Sequence, residues 1–137
     1  MSERLEFEVL GPAAPQGSMR AFTINGKARL SSDNKKTGPY RQECGWAARR
    51  ALGSREMPLF GKHVPVRIVI DFYFPKPPSA KKSRLFPSVP PDLDKLCRAT
   101  FDALKGIAWV DDGQVVQVRA TKLYAKMATT IVTIEEI

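Results

Sequence analysis

Between Pro90 and Val116 the chain reads P-P-D-L-D-K-L-C-R-A-T-F-D-A-L-K-G-I-A-W-V-D-D-G-Q-V-V, and this stretch leaves few ways to fold. Proline fixes its own φ and disfavours the helical region for the residue before it, so Pro90 and Pro91 hold the approach to Asp92 extended. Beyond them Leu93, Leu96, Cys97, Thr100, Phe101 and Leu104 recur with the period of a helix that has one inward face. Lys105-Gly106 then supplies a basic last turn and a glycine to end it. Residues 107–110 return the chain, Asp111-Asp112-Gly113 reads as a turn, and a strand follows from Gln114.

The same stretch holds five of the fourteen acidic residues of a chain whose net charge is +8. Crowded carboxylates repel one another unless solvent, a basic partner or a bound cation offsets the repulsion. Asp92 and Asp94 converge only if Asp92 lies at or before the helix N-cap, because residues two apart diverge on a helix and align in extended chain. Asp94 and Arg98 are i, i+4 neighbours on the polar face, which sets a guanidinium beside the carboxylates as a candidate phosphate hook. Asp111 and Asp112 would offer a third acidic ligand from the start of a strand. A calcium loop of the EF-hand type is disfavoured, since Cys97 stands where that loop needs glycine and Ala103 where it needs glutamate. The structural alternative is that Asp92 caps the helix, Asp94 sits favourably in its first turn and Asp111-Asp112-Gly113 is an ordinary turn.

D-L-D-K-L-C-R-A-T-F-D-A-L followed by W-V-D-D-G-Q-V-V closely resembles the RusA family of Holliday-junction resolvases. The segments G-P-A-A-P-Q-G-S-M-R and K-K-T-G-P-Y-R-Q-E-C-G-W-A-A-R are similar to phage and prophage members. The resemblance implies that Asp92, Asp94 and Asp112 are catalytic carboxylates that bind Mg2+, with Mn2+ as a substitute, and that Asp111 supports them. Arg98 takes a place where the family often carries a functional lysine, and Lys95 one where asparagine is common. The first change replaces a point ammonium by a planar fork. The resemblance also implies a homodimer acting on branched DNA.

At 137 residues the chain is most simply one domain, and 43% hydrophobic with 26% charged residues makes it globular. No apolar run nears the roughly 20 residues that span a bilayer, and the N-terminus lacks the order of a signal peptide, so a cytoplasmic location without membrane attachment is the expectation. Cys44 and Cys97 fall at apolar helix positions and read as buried thiols, and His63 reads as a surface or loop residue. The basic surplus suits a polyanion and concentrates in residues 20–50 and 76–84.

In chain order, Leu5, Phe7 and Val9 alternate with Glu6 and Glu8 as a half-buried strand. Asn25-Gly26 marks a hairpin that carries Arg20, Lys27 and Arg29, candidates for the DNA backbone. A helix follows at about 39–52, with Cys44, Ala47, Ala48 and Ala51 as a small-residue face and Trp46 read as a core anchor. Arg41, Arg49 and Arg50 are further candidates for phosphate contact. Residues 64–74 form the clearest strand, central in its sheet because both sides carry apolar residues, with Asp71 read as structural. Residues 76–91 are a proline-rich basic loop whose Lys81, Lys82 and Arg84 would close over DNA. Strands at 115–124 and 129–135 end the chain. These elements predict an α+β fold, a mixed sheet of about four to six strands packed with two main helices, about 39–52 and 92–105.

The function expected is a magnesium-dependent endonuclease resolving four-way DNA junctions by paired cuts that leave 5′ phosphates. The rival is a non-catalytic basic module that binds branched or duplex nucleic acid.

Overall fold

The computed structural model describes residues 3–15, 19–24, 27–32 and 37–137, of which 19–24, 27–32 and 37 are described by backbone alone. The alternation of Leu5, Phe7 and Val9 produces strand β1 (Arg4–Leu10), whose odd residues are buried and even residues exposed. Strands β2 (Met19–Ile24) and β3 (Lys27–Ser32) pair antiparallel, with Ile24 opposite Lys27, as a two-stranded sheet of their own. The expected Asn25-Gly26 turn between them lies outside the described residues, as do residues 16–18 and 33–36.

Helix α1 (Thr37–Leu52) starts two residues before its expected start. Pro39 is tolerated there because the N–H it lacks would have no intrahelical partner in the first turn. Gly53, at φ +63, ends the helix with its N–H on the Arg49 carbonyl, a left-handed conformation that glycine adopts without strain. Strand β4 (Val66–Phe74), helix α2 (Leu93–Leu104), a single 3-10 turn (Asp112–Gln114), strand β5 (Val115–Tyr124) and strand β6 (Thr129–Glu136) complete the chain.

The main sheet runs β1-β6-β4-β5. β1 and β4 flank β6 antiparallel, whereas β4 and β5 are parallel. A parallel pair needs a crossover, and residues 75–114 supply it, with α2 as its helix. The fold is therefore α+β with a mixed four-stranded sheet and two helices, as expected, and β4 is interior to the sheet. The last two strands, although joined by a short connection, do not pair. β4 lies between them, and the connection crosses its end, where Ala125 N–H bonds to the Phe74 carbonyl.

One face of the sheet and the two helices form the core. β4 contributes Val66, Ile68, Ile70 and Phe72, all fully buried, and each such side chain contributes about 1.5–3 kcal/mol. α1 adds Tyr40, Cys44, Ala47, Ala48 and Leu52, and α2 adds Leu96, Ala99, Thr100 and Leu104. The small residues of α1 let the helices come close: a Cβ on Gly45 would sit 3.6 Å from Ile107 Cδ1 and 3.7 Å from the Ala103 carbonyl oxygen. Thr100 Oγ1 donates to the Leu96 carbonyl at 2.9 Å, so the Tyr40 hydroxyl, 2.8 Å away, donates to Thr100 and ties the two helices. Burial pushes the Tyr40 hydroxyl above its ordinary range and the Cys44 thiol up to about 12.

Trp46 corrects the sequence expectation, being 46% exposed. The inward stripe of α1 is set by Tyr40, Cys44, Ala47 and Ala48, and a residue two after Cys44 is rotated off it. The buried tryptophan is Trp109.

Candidate active site

Asp92 is the N-cap of α2, with φ −71 and ψ 135, the extended conformation the double proline imposes. Its carbonyl accepts from Leu96 N–H at 3.1 Å, yet its carboxylate makes no capping hydrogen bond. That carboxylate instead stands 3.9 Å from Lys95 Nζ, in the open. A helix-capping role therefore does not account for the Asp92 side chain. Asp94, in the first turn, is exposed, and it has no hydrogen bond or ion pair with a described residue. Arg98 is also exposed, and the ion pair with Asp94 open to it is not formed. Cys97, on the next turn, is half-buried, and burial followed by the nearby Asp94 charge pushes its thiol up to about 11. Asp102, further along, is 3.8 Å from Arg41.

The second acidic group is held by a different set of contacts. Gly106, at φ +86, turns the chain out of α2, and its N–H bonds to the Trp109 carbonyl at 2.7 Å. This return buries the Trp109 ring, which meets Phe101 of α2 edge-on with centroids 5.5 Å apart. The indole Nε1–H then donates to Asp112 Oδ1 at 2.8 Å, fixing that carboxylate. Gln114 braces the turn from inside. Its Oε1 accepts from Val110 and Asp111 N–H at 2.8 and 3.0 Å, and its Nε2 donates to the carbonyls of Gly61 and Val64 at 2.8 and 3.1 Å. Asp111 points outward, 3.9 Å from Lys105 Nζ.

The structure places Asp92 and Asp94 at the start of α2 and Asp111 and Asp112 past its end. Pro91 lies against Lys122, the eighth residue of β5, while Asp112 precedes the first, Val115. At about 3.3 Å per strand residue, the two acidic groups of one chain are on the order of 20 Å apart. Accordingly, among the described residues no three His, Cys, Asp or Glu side chains are gathered so as to hold a metal ion. As a donor set Asp92 and Asp94 still suit a hard divalent cation, because Mg2+ takes one or two carboxylates and fills its remaining positions with water and substrate phosphate.

The cations are distributed around this frame. Lys81 and Lys82 are exposed on the loop before Asp92, and Arg84 is half-buried. Arg20, Lys27 and Arg29 fall on β2 and β3, and their side chains lie outside the described structure. Arg49 and Arg50 are exposed in the last turn of α1. His63 is exposed, as expected, and Asp71 sits half-buried in β4 opposite Thr121 and Ile131.

Comparison with known proteins bears on what these acids do. A family model described as endodeoxyribonuclease RusA matches residues 12–135, and so takes in both acidic groups, both helices and the whole loop between β4 and α2. The chain belongs to the RusA family. The uncharacterized protein YqaN of Bacillus subtilis (strain 168) is 29% identical over 143 residues, covering 97% of this chain and 96% of that protein. Membership in the RusA family makes the chain a nuclease, a hydrolase of phosphodiester bonds. Among the described residues no helix is long and apolar enough to cross a membrane.

Three residues that hold the two acidic groups went unread in the sequence: Trp109, Gln114 and Lys122. Gln114 carried a signal, since Asp111-x-x-Gln114 has the spacing of a capping box and its side chain does accept the Asp111 N–H. Lys122 carried none, standing on an edge strand whose Val118, of the same phase, is exposed. Trp109 gave none, because an indole N–H has no sequence pattern that names its acceptor.

Proposed function

We propose that this chain is a magnesium-dependent endonuclease that resolves four-way DNA junctions, working as a homodimer that makes paired cuts and leaves 5′ phosphates. The observation that carries the reading is the exposed Asp92 carboxylate: the helix it opens does not cap with it, its ion-pair partner among the described residues is Lys95 at 3.9 Å, and the next acid, Asp94, has none among them. Family membership and the surplus of cations support the choice of DNA as substrate.

A four-way junction has near two-fold symmetry, so two cuts related by a dyad call for two sites related by a dyad. The same symmetry answers the separation of the acids. A two-fold axis across α2 sets the start of one helix against the end of its partner's, so that Asp112 of the partner subunit meets Asp92 and Asp94. Asp111 supports that junction. Asp92, Asp94 and Asp112 would hold Mg2+, which when bound polarises the scissile phosphate and lowers the pKa of an attacking water. Water adds to phosphorus, the bond to the 3′ oxygen breaks, and the phosphate stays on the 5′ side. Arg98, one turn after Asp94, neutralises charge growing on the phosphoryl oxygens, and Lys95 orients Asp92 and adds a second cation. Lys81, Lys82 and Arg84, with Arg20, Lys27 and Arg29, contact the DNA backbone.

The test uses a labelled synthetic four-way junction. Asp112→Asn should abolish Mg2+-dependent cutting and leave binding intact; undiminished cutting removes Asp112 from the site. Mixing Asp94→Asn and Asp112→Asn chains should restore single nicks without paired cuts, because each mixed dimer then has one intact site. If the mixture stays inactive while both parents bind the junction, the shared site is wrong.

A further inference from the structure

The loop between β4 and α2 delivers Asp92, and two lysines, exposed Lys76 and half-buried Lys122, bond to its main chain. Lys76 Nζ lies 5.6 Å from the centre of the Tyr124 ring and donates to the Lys82 carbonyl at 3.3 Å. Lys122, on β5, donates from Nζ to the carbonyls of Val89 and Pro91 at 2.7 and 2.8 Å. The second contact is on the peptide unit that joins Pro91 to Asp92. An ammonium has three donors, and two are spent on main-chain oxygens within three residues of that carboxylate.

Lys122 is half-buried and paired in register with fully buried Phe72, on an edge strand where Val118, of the same phase, is 46% exposed. Hydrogen bonds from a charged donor are roughly twice as strong as neutral ones, so the residue fixes a proline-rich segment that has few N–H groups with which to fix itself.

We propose that Lys122 is a positioning residue of the carboxylate site: by clamping the carbonyls of Val89 and Pro91 it sets the direction of Asp92 and so the affinity for the divalent ion. The inference rests on the reading above, that Asp92 and Asp94 bind that ion. Residues that orient metal ligands typically change metal affinity by roughly 10–100-fold when removed, without touching the metal. A bare charge effect has the opposite sign, since deleting a nearby cation would strengthen cation binding.

Mn2+ binding to the full-length dimer, followed by electron paramagnetic resonance in the absence of DNA, tests this directly. Lys122→Met should weaken Mn2+ binding by roughly tenfold. Lys122→Arg, whose fork keeps donors for both carbonyls, should stay near the wild type. In cleavage assays Lys122→Met should need correspondingly more Mg2+ to reach half its maximal rate while binding the junction normally in chelator. Unchanged or tightened Mn2+ binding in Lys122→Met would overturn the proposal. If that variant does not fold, Lys122→Leu, which likewise has no donor, takes its place, and wild-type Mn2+ affinity in it would overturn the proposal equally. Asp94→Asn separates this from the underlying reading: if Asp94→Asn binds Mn2+ as the wild type does, the ion is not at these carboxylates and the fault lies there.

Discussion

A carboxylate's role depends on what already occupies its oxygens, and the two tested by neighbours here differ. Among the described residues Asp92 has one partner, a lysine at 3.9 Å, whereas Asp112 accepts a 2.8 Å bond from the Trp109 indole. Trp109→Phe keeps a ring against Phe101 and removes that donor. The expected result is a loss of cutting of roughly 10–100-fold at saturating Mg2+ with junction binding unchanged. A rate equal to the wild type would show that the indole only fills the core. At the same scale, Cys44 predicts a pH effect. Its thiol titrates at 9.0 when free and at about 12 in the fold, so the folded state holds the proton more tightly. Stability from this group is complete below the free value and is lost as pH rises from 9.0 toward about 12. Melting temperatures measured upward from pH 8 should fall on that limb, and Cys44→Ala should flatten the fall. The extended backbone of Asp92 was legible because two prolines dictate it. The burial of Trp109 and exposure of Trp46 were not, because both indoles sit among apolar residues and only helix phase against the sheet separates them.

Helix α2 and the turn that follows it form one element, and here the sequence was most informative. The apolar period, the extended N-cap and Gly106 at φ +86 all appear where the letters put them, within one residue at each end. What the letters did not show is that the turn is held from beneath. Gln114 is buried and satisfies Val110 and Asp111 N–H together with carbonyls from residues 61 and 64, 53 and 50 positions away. Gln114→Ala would strand these groups, each costing about 1–3 kcal/mol if water cannot reach it. Part of the turn faces solvent, so the expected loss in urea unfolding is about 3 kcal/mol, with Asp112 no longer held and cutting lost. A variant of wild-type stability would mean the turn holds itself and the glutamine is incidental.

Across the whole molecule, topology is where sequence reading stops. β5 and β6 are neighbours in the chain but not in the sheet, because β4 is inserted between them. That pairing is decided by buried faces from distant residues, and no local pattern records it. The same arrangement separates the acids, since a crossover strand puts the residues before its helix and those before its partner strand at opposite ends. It also fixes how charge is laid out. Lys76 and Lys122 bond to main-chain carbonyls of the loop, leaving Lys81 and Lys82 exposed on the approach to Asp92 in a chain of net charge +8. If the loop lies on DNA, each of these two lysines neutralises a phosphate and releases counterions, adding about 0.9 to the slope of log affinity against log salt. The double variant Lys81→Ala, Lys82→Ala should therefore bind junctions more weakly at low salt and show a slope shallower by roughly 2. Its cutting rate at saturating DNA should match the wild type, because neither ammonium belongs to the carboxylate site. An unchanged salt slope would place the loop off the DNA, and an unchanged slope with a reduced rate would assign its lysines to the chemistry instead.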